Sequence, residues 1–145
     1  MATIGHQPRA PLRGVPSLLG AMRSGAPRLG SAAPSHRQSL ARFGEVMAER
    51  FLEERGAAVL GRNVRLGRGE IDLHVSLDGV SVAVEVKTVV ARRRSDDAIY
   101  QFSFRKADTV RRYARRLQPP AKRVDLVAIT FRAHGADIRW VPFAA

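Results

Sequence analysis

The chain of 145 residues contains no cysteine, which excludes disulfides and thiolate metal ligands and fits a reducing, cytoplasmic setting. No apolar run approaches the ~20 residues of a membrane span, so no association through a membrane-crossing helix is expected. The first 38 residues contain no Asp or Glu, yet they hold five arginines and five of the eight prolines. Gly, Ala and Ser fill most of the remainder, and no helical or strand period persists. Residues 1–38 therefore read as a disordered basic arm. An organelle transit peptide, a phosphate-binding tail and a dispensable extension all suit that composition; the missing amphipathic face favours the extension.

What remains, residues 39–145, suits one domain, and 45% of the whole chain is hydrophobic, enough for a core. Lys and Arg number 25 against 13 Asp and Glu, a formal charge of +12. Such a surplus favours a polyanionic partner, nucleic acid before an anionic membrane. The oligomeric state is open, a homodimer included.

In "SLARFGEVMAERFLEERG", Leu40, Phe43, Met47 and Phe51 recur at helical steps, with Ser39 available as the cap. Glu45 lies on the flank of that stripe, where it faces either solvent or a cleft. Ala57–Leu60 reads as a short strand. The stretch "GRGEIDLHVSLDGVSVAVEVK", Gly67–Lys87, then sets the central question, because it places acids inside two strands. Alternation puts Ile71, Leu73 and Val75 on one face and Glu70, Asp72 and His74 on the other. In the second strand, Val80, Val82, Val84 and Val86 oppose Ser81, Ala83, Glu85 and Lys87. Asp78-Gly79 between them is a strong hairpin signal.

A two-residue turn there sets Asp72 opposite Glu85 and Glu70 opposite Lys87. Like charges directly opposed destabilise a hairpin. A divalent cation between Asp72 and Glu85 reverses that sign, and two hard oxygen ligands suit Mg²⁺ or Mn²⁺. Lys87 then lies where it can hold a phosphate or an attacking water. The plainer reading is a solvent-facing hairpin with a Glu70–Lys87 surface pair, worth only ~0.2–1 kcal/mol.

"GEIDLHVSLDGVSVAVEVKT" resembles the signature of the YraN family of bacterial endonuclease-like proteins, a GEIDL segment followed by VEVKT. That family is similar in fold to the restriction-endonuclease and Holliday-junction-resolvase superfamily with its PD-(D/E)xK pattern. Gly44-Glu45, Gly61–Asn63, Lys106, Val110, Ala114, Leu117, "RVDLVAI" and "IRWVPFAA" follow the family order from about residue 43 to residue 145. The resemblance implies that Asp72 and Glu85 are metal carboxylates, Lys87 the superfamily lysine and Glu45 an auxiliary helix acid. It implies a metal-dependent nuclease acting on DNA, branched or otherwise structured; the alternative is a non-catalytic nucleic-acid-binding protein on a nuclease scaffold. The chain departs from the pattern at Val89, at Val124 and in "VVARRRSDDAIYQFSFRK", which lacks the family's Gly and Pro.

Further along, Arg92, Arg93 and Arg94 form a basic run just past the site, and Lys106 and Arg112 lie on the second helix; these are the candidate nucleic-acid contacts. His74 reads as a bystander and Asp125 as structural. The expected fold is α/β and restriction-endonuclease-like. A central mixed sheet holds the Glu70–Val90 hairpin and a strand over Val124–Phe131, with one helix before the hairpin and one after it. A last strand over Asp137–Phe143 pairs at an edge.

Overall fold

A computed structural model describes residues 33–145; the basic arm expected over residues 1–38 lies outside the described residues up to position 32. Five strands form one sheet in the order β1 (Ala58–Leu66), β2 (Gly69–Leu77), β3 (Val80–Val90), β4 (Arg123–Arg132) and β5 (Gly135–Val141). Only β3 and β4 run parallel; the other neighbours are antiparallel. The helix α1 (His36–Glu53) precedes the sheet, and a 3₁₀ turn (Ala98–Gln101) and α2 (Phe104–Ala114) lie between β3 and β4. This is the restriction-endonuclease-like α/β architecture expected from the sequence. Among the described residues no helix is long and apolar enough to cross a membrane.

The two faces of the sheet carry different cores. On one face α1 packs Ala48 and Leu52 on Leu73, Val75, Val82, Val84 and Val127, with Leu40, Phe43, Met47 and Phe51 closing the rim. On the other, α2 sets Val110 and Ala114 against Ile71, Ala83 and Val124. The central strand β3 is thus buried on both sides from Val82 to Val86, as a strand with a parallel neighbour requires. Asp78 and Gly79 take φ of 51° and 75°, the pair of positive angles that a two-residue hairpin turn needs.

Three expectations are corrected. The helix begins at His36 rather than after Ser39, because Ser35 and Gln38 form a reciprocal capping box. The first strand runs on from Ala58 to Leu66, its exposed arginines masking the pattern. Ile71 does not share a face with Leu73 and Val75; it joins the α2 core. The alternation breaks at Asp72, opposite Asn63, which takes a positive φ of 47°.

The approach of α1 to β3 depends on Gly44, where an added Cβ would lie 1.9 Å from Thr88 Oγ1 and 3.0 Å from Thr88 Cβ. Rotating the threonine clears only the first of these. Gly44→Ala is therefore expected to destabilise the fold by roughly 1–3 kcal/mol despite alanine's better helix propensity. Urea unfolding of the variant checks this. Asp125 is structural, as the sequence suggests: its buried carboxylate accepts from Arg123 (2.9 Å), Trp140 Nε1 (2.9 Å) and the Phe143 amide (3.1 Å). It ties β5 and the segment after it to β4.

Candidate active site

The β2–β3 ladder follows the expected register from Leu77–Val80 to Leu73–Val84. One step further, where the register would set Asp72 against Glu85, the ladder opens. Asp72 Oδ2 accepts the Val86 amide at 2.7 Å, so a side chain supplies the acceptor that a backbone carbonyl would otherwise give. Beyond this point β2 stays with β1. Glu70 accordingly pairs with Arg65 across β1–β2 at 3.7 Å, and the expected Glu70–Lys87 pair does not form.

Glu85 is only 1% exposed. Its Oε1 accepts from Lys87 Nζ and forms an ion pair with Lys106 Nζ at 3.1 Å. Its Oε2 is buried and has no hydrogen-bond partner among the described residues. The lysines are more open, at 24% and 38% of their side chains, so the two ammoniums form the mouth of the site over a buried acid. Asp72 holds its proton up to about pH 7. Burial is the main cause and the Glu85 charge the next; the Val86 amide and Lys87 oppose them.

These carboxylates are a fit for a hard divalent cation. A buried carboxylate oxygen without a partner, beside a second carboxylate whose ionised form is disfavoured, is a donor pair that gains from a dication. Asp72 and Glu85 would hold it. Among the described residues no third His, Cys, Asp or Glu converges on them. Mg²⁺ commonly takes one or two protein carboxylates and completes its shell with water and substrate phosphate, so a third acid is not required.

Glu45 faces a cleft of about 590 Å³ between α1 and β1–β2, lined by Arg42, Asn63, Arg65 and Glu70 among others. Its carboxyl is shifted upward, first by burial and then by the charges of Glu70 and Glu85, against the Asn63 amide and Arg42. The cleft does not include Asp72, Glu85 or Lys87, but Glu45 is near enough for its charge to act on Asp72 and for the Glu85 charge to act on it. In the same cleft Arg62 makes a bidentate pair with Glu49, both bonds 2.6 Å.

Of the other expected site residues, Arg92, Arg93 and Arg94 are exposed in the turn after β3. That turn is fixed by the Arg92 and Arg93 amides on Asp96 Oδ2, each 2.9 Å, and by Arg132 on the Asp96 carbonyl. Arg112 lies on the outer face of α2 beside Asp108 (3.8 Å), away from the acids. Lys106, a candidate nucleic-acid contact by sequence, also reaches Glu85, 21 positions earlier; no spacing rule signals that pairing. His74 is buried, with Nε2 2.8 Å from Ser81 Oγ.

The model of the uncharacterised protein family UPF0102 matches residues 44–129, which span α1 to β4 and every acid and lysine of the site. Similar relatives bear the name UPF0102 protein. One from Treponema pallidum (strain Nichols) is 33% identical over 120 residues, covering 77% of this chain and 95% of the relative. One from Roseiflexus castenholzii is 37% identical over 119 residues, covering 74% and 94%. One from Streptomyces griseus is 40% identical over 113 residues, covering 70% and 91%.

Proposed function

Because the chain belongs to the UPF0102 family, the YraN proteins, and folds as they are expected to, we propose that it is a divalent-metal-dependent nuclease hydrolysing phosphodiester bonds in DNA, with branched or structured DNA as the substrate class. The observation that carries this reading is Glu85: a buried carboxylate with one oxygen held by Lys87 and Lys106 and the other without a partner among the described residues, next to Asp72. An isolated structural ion pair has no use for that orphaned oxygen, whereas a cation site does.

Asp72 and Glu85 would hold a Mg²⁺ or Mn²⁺ ion, which would supply Lewis-acid polarisation and lower the pKa of a bound water. Lys87 lies at the mouth and offers its ammonium to charge that grows on the phosphoryl oxygens. Lys106 supports it from α2 and keeps Glu85 oriented. Glu45, whose proton is held more tightly than usual, is suited to proton transfer at the edge of the cleft. Arg92, Arg93 and Arg94 take the sugar–phosphate backbone alongside.

The reading is tested with end-labelled linear, single-stranded, flap and four-way DNA incubated with Mg²⁺, Mn²⁺ or EDTA. Metal-dependent cutting of at least one structure is expected. Binding without cutting in either metal would make the protein a nucleic-acid-binding module on a nuclease scaffold. Replacing Arg92, Arg93 and Arg94 by Ala should weaken binding and make the log–log salt dependence shallower by roughly 2–3, at ~0.9 for each phosphate no longer neutralised. Single-turnover cleavage at saturating protein should stay near normal. Fluorescence anisotropy across a salt series reads the slope.

A further inference from the structure

Two aromatic side chains stand almost free beside the site. Phe104 is 98% exposed and Tyr100 78%. Each ring forgoes the burial energy that an aromatic side chain gains in a core. They flank Phe102, which points the other way and packs into the cores under α2 and the 3₁₀ turn. The segment that carries them is pinned. The Ala98 amide donates to Thr130 Oγ1 at 2.9 Å, Asp97 caps the 3₁₀ turn through the Ile99 amide at 3.0 Å, and Arg139 holds Asp97 at 3.2 Å. Ser103 caps α2 through the Lys106 amide at 3.2 Å. Both rings are thus presented from fixed backbone, and Phe104 opens the helix that carries Lys106 to Glu85.

Their surroundings select the occupant. Between Arg92 and Arg116 there are nine lysines and arginines and three aspartates. Eight of the nine are arginines, whose planar guanidinium groups match the geometry of a phosphate. Rigid aromatics on a cationic surface are the combination that binds single-stranded nucleic acid: the rings stack on bases and the cations follow the phosphates. A base paired inside a duplex has no free face to offer.

We propose that Tyr100 and Phe104 form a stacking platform for unpaired nucleobases, which directs the site to DNA carrying a single-stranded segment beside the scissile phosphate. This rests on the nuclease reading for its consequence, but the binding itself does not need catalysis. The test is therefore made with the full chain in EDTA. Affinity is measured for a blunt duplex, for the same duplex with a single-stranded flap, and for a flap carrying 2-aminopurine. Wild type should bind the flap more tightly than the blunt duplex and change the 2-aminopurine emission. Phe104→Ala and Tyr100→Ala should each lower flap affinity about tenfold and abolish the emission change, with less than a twofold effect on blunt duplex. Phe104→Leu should behave as Phe104→Ala, and Phe104→Trp should retain wild-type binding. Equal losses on both substrates, no loss on either, or full retention by Phe104→Leu would overturn the proposal. So would a dimer in sedimentation that Phe104→Ala dissolves, which would assign the rings to a second copy of the chain. Failure of metal-dependent cleavage would count against the nuclease reading alone.

Discussion

Lys87→Ala is expected to cut the single-turnover cleavage rate by about 10²–10³ while changing affinity at fixed salt only a few-fold. The asymmetry follows from where the ammonium sits. Lys87 Nζ pairs with a carboxylate that is itself buried, and its own side chain is partly open at the mouth. On the proposed nuclease reading it is, in the ground state, one cation among several near the phosphate. On that reading negative charge grows in the transition state on oxygens that it faces, and only that increment would speed the reaction. Loss of Lys87 still leaves Lys106 on Glu85, so the acid keeps a partner and the fold should survive. Lys87→Arg is the matched control: charge is kept but the planar head group cannot reproduce the lysine's geometry, so the rate should recover only in part. An equal fall in rate and affinity for Lys87→Ala would place the residue in substrate binding instead.

The second large effect appears without metal. Asp72 titrates at about 7 in the folded protein, against 3.8 for an ordinary aspartate. A carboxyl raised on folding binds more protons in the native state than in the unfolded chain throughout that window. Its contribution to stability is therefore fully present below about pH 4, is lost progressively as pH rises toward 7, and is constant above that. The full shift corresponds to up to ~4 kcal/mol. In EDTA, melting temperature should fall over this range more steeply in wild type than in Asp72→Asn. At pH 8 the variant should melt several degrees higher. The asparagine oxygen can still accept the Val86 amide, so the comparison isolates the charge. Mn²⁺ added at pH 8 should restore wild type and leave Asp72→Asn unmoved. Parallel pH profiles for the two proteins would show that Asp72 is not held against its ionisation.

How far these features can be read from the sequence depends on how local their causes are. The Asp78-Gly79 turn and the strand Val80–Val90 are legible because turn chemistry and a two-residue period act within a few residues. Asp72, Glu85 and Lys87 are legible as a group because the hairpin brings Asp72 close to the Glu85–Lys87 stretch, although its ladder stops at Leu73–Val84, and because the GEIDL and VEVKT segments resemble a known pattern. The change of face between Ile71 and Leu73 is not legible, since it comes from the opening of the ladder at Asp72 and the positive φ of Asn63 on the neighbouring strand. The true start of α1 is available in Ser35-x-x-Gln38, a capping box that the more conspicuous Ser39 obscures. Lys106 reaches Glu85 only because α2 lies across β3, a tertiary relation with no trace in spacing. Tyr100 and Phe104 are visible as aromatics, but their exposure goes with Phe102, half-buried between them, taking the contacts with the cores.

Mn²⁺ uptake tests the site most directly, because it needs neither a substrate nor turnover. The free-ion EPR signal is followed as metal is titrated into wild type, Asp72→Asn and Glu85→Gln at pH 8. Wild type should take up Mn²⁺ stoichiometrically, and each variant should leave the ion free over the same range. Equal uptake by all three proteins, or none by wild type at millimolar Mn²⁺, would contradict a cation site between Asp72 and Glu85.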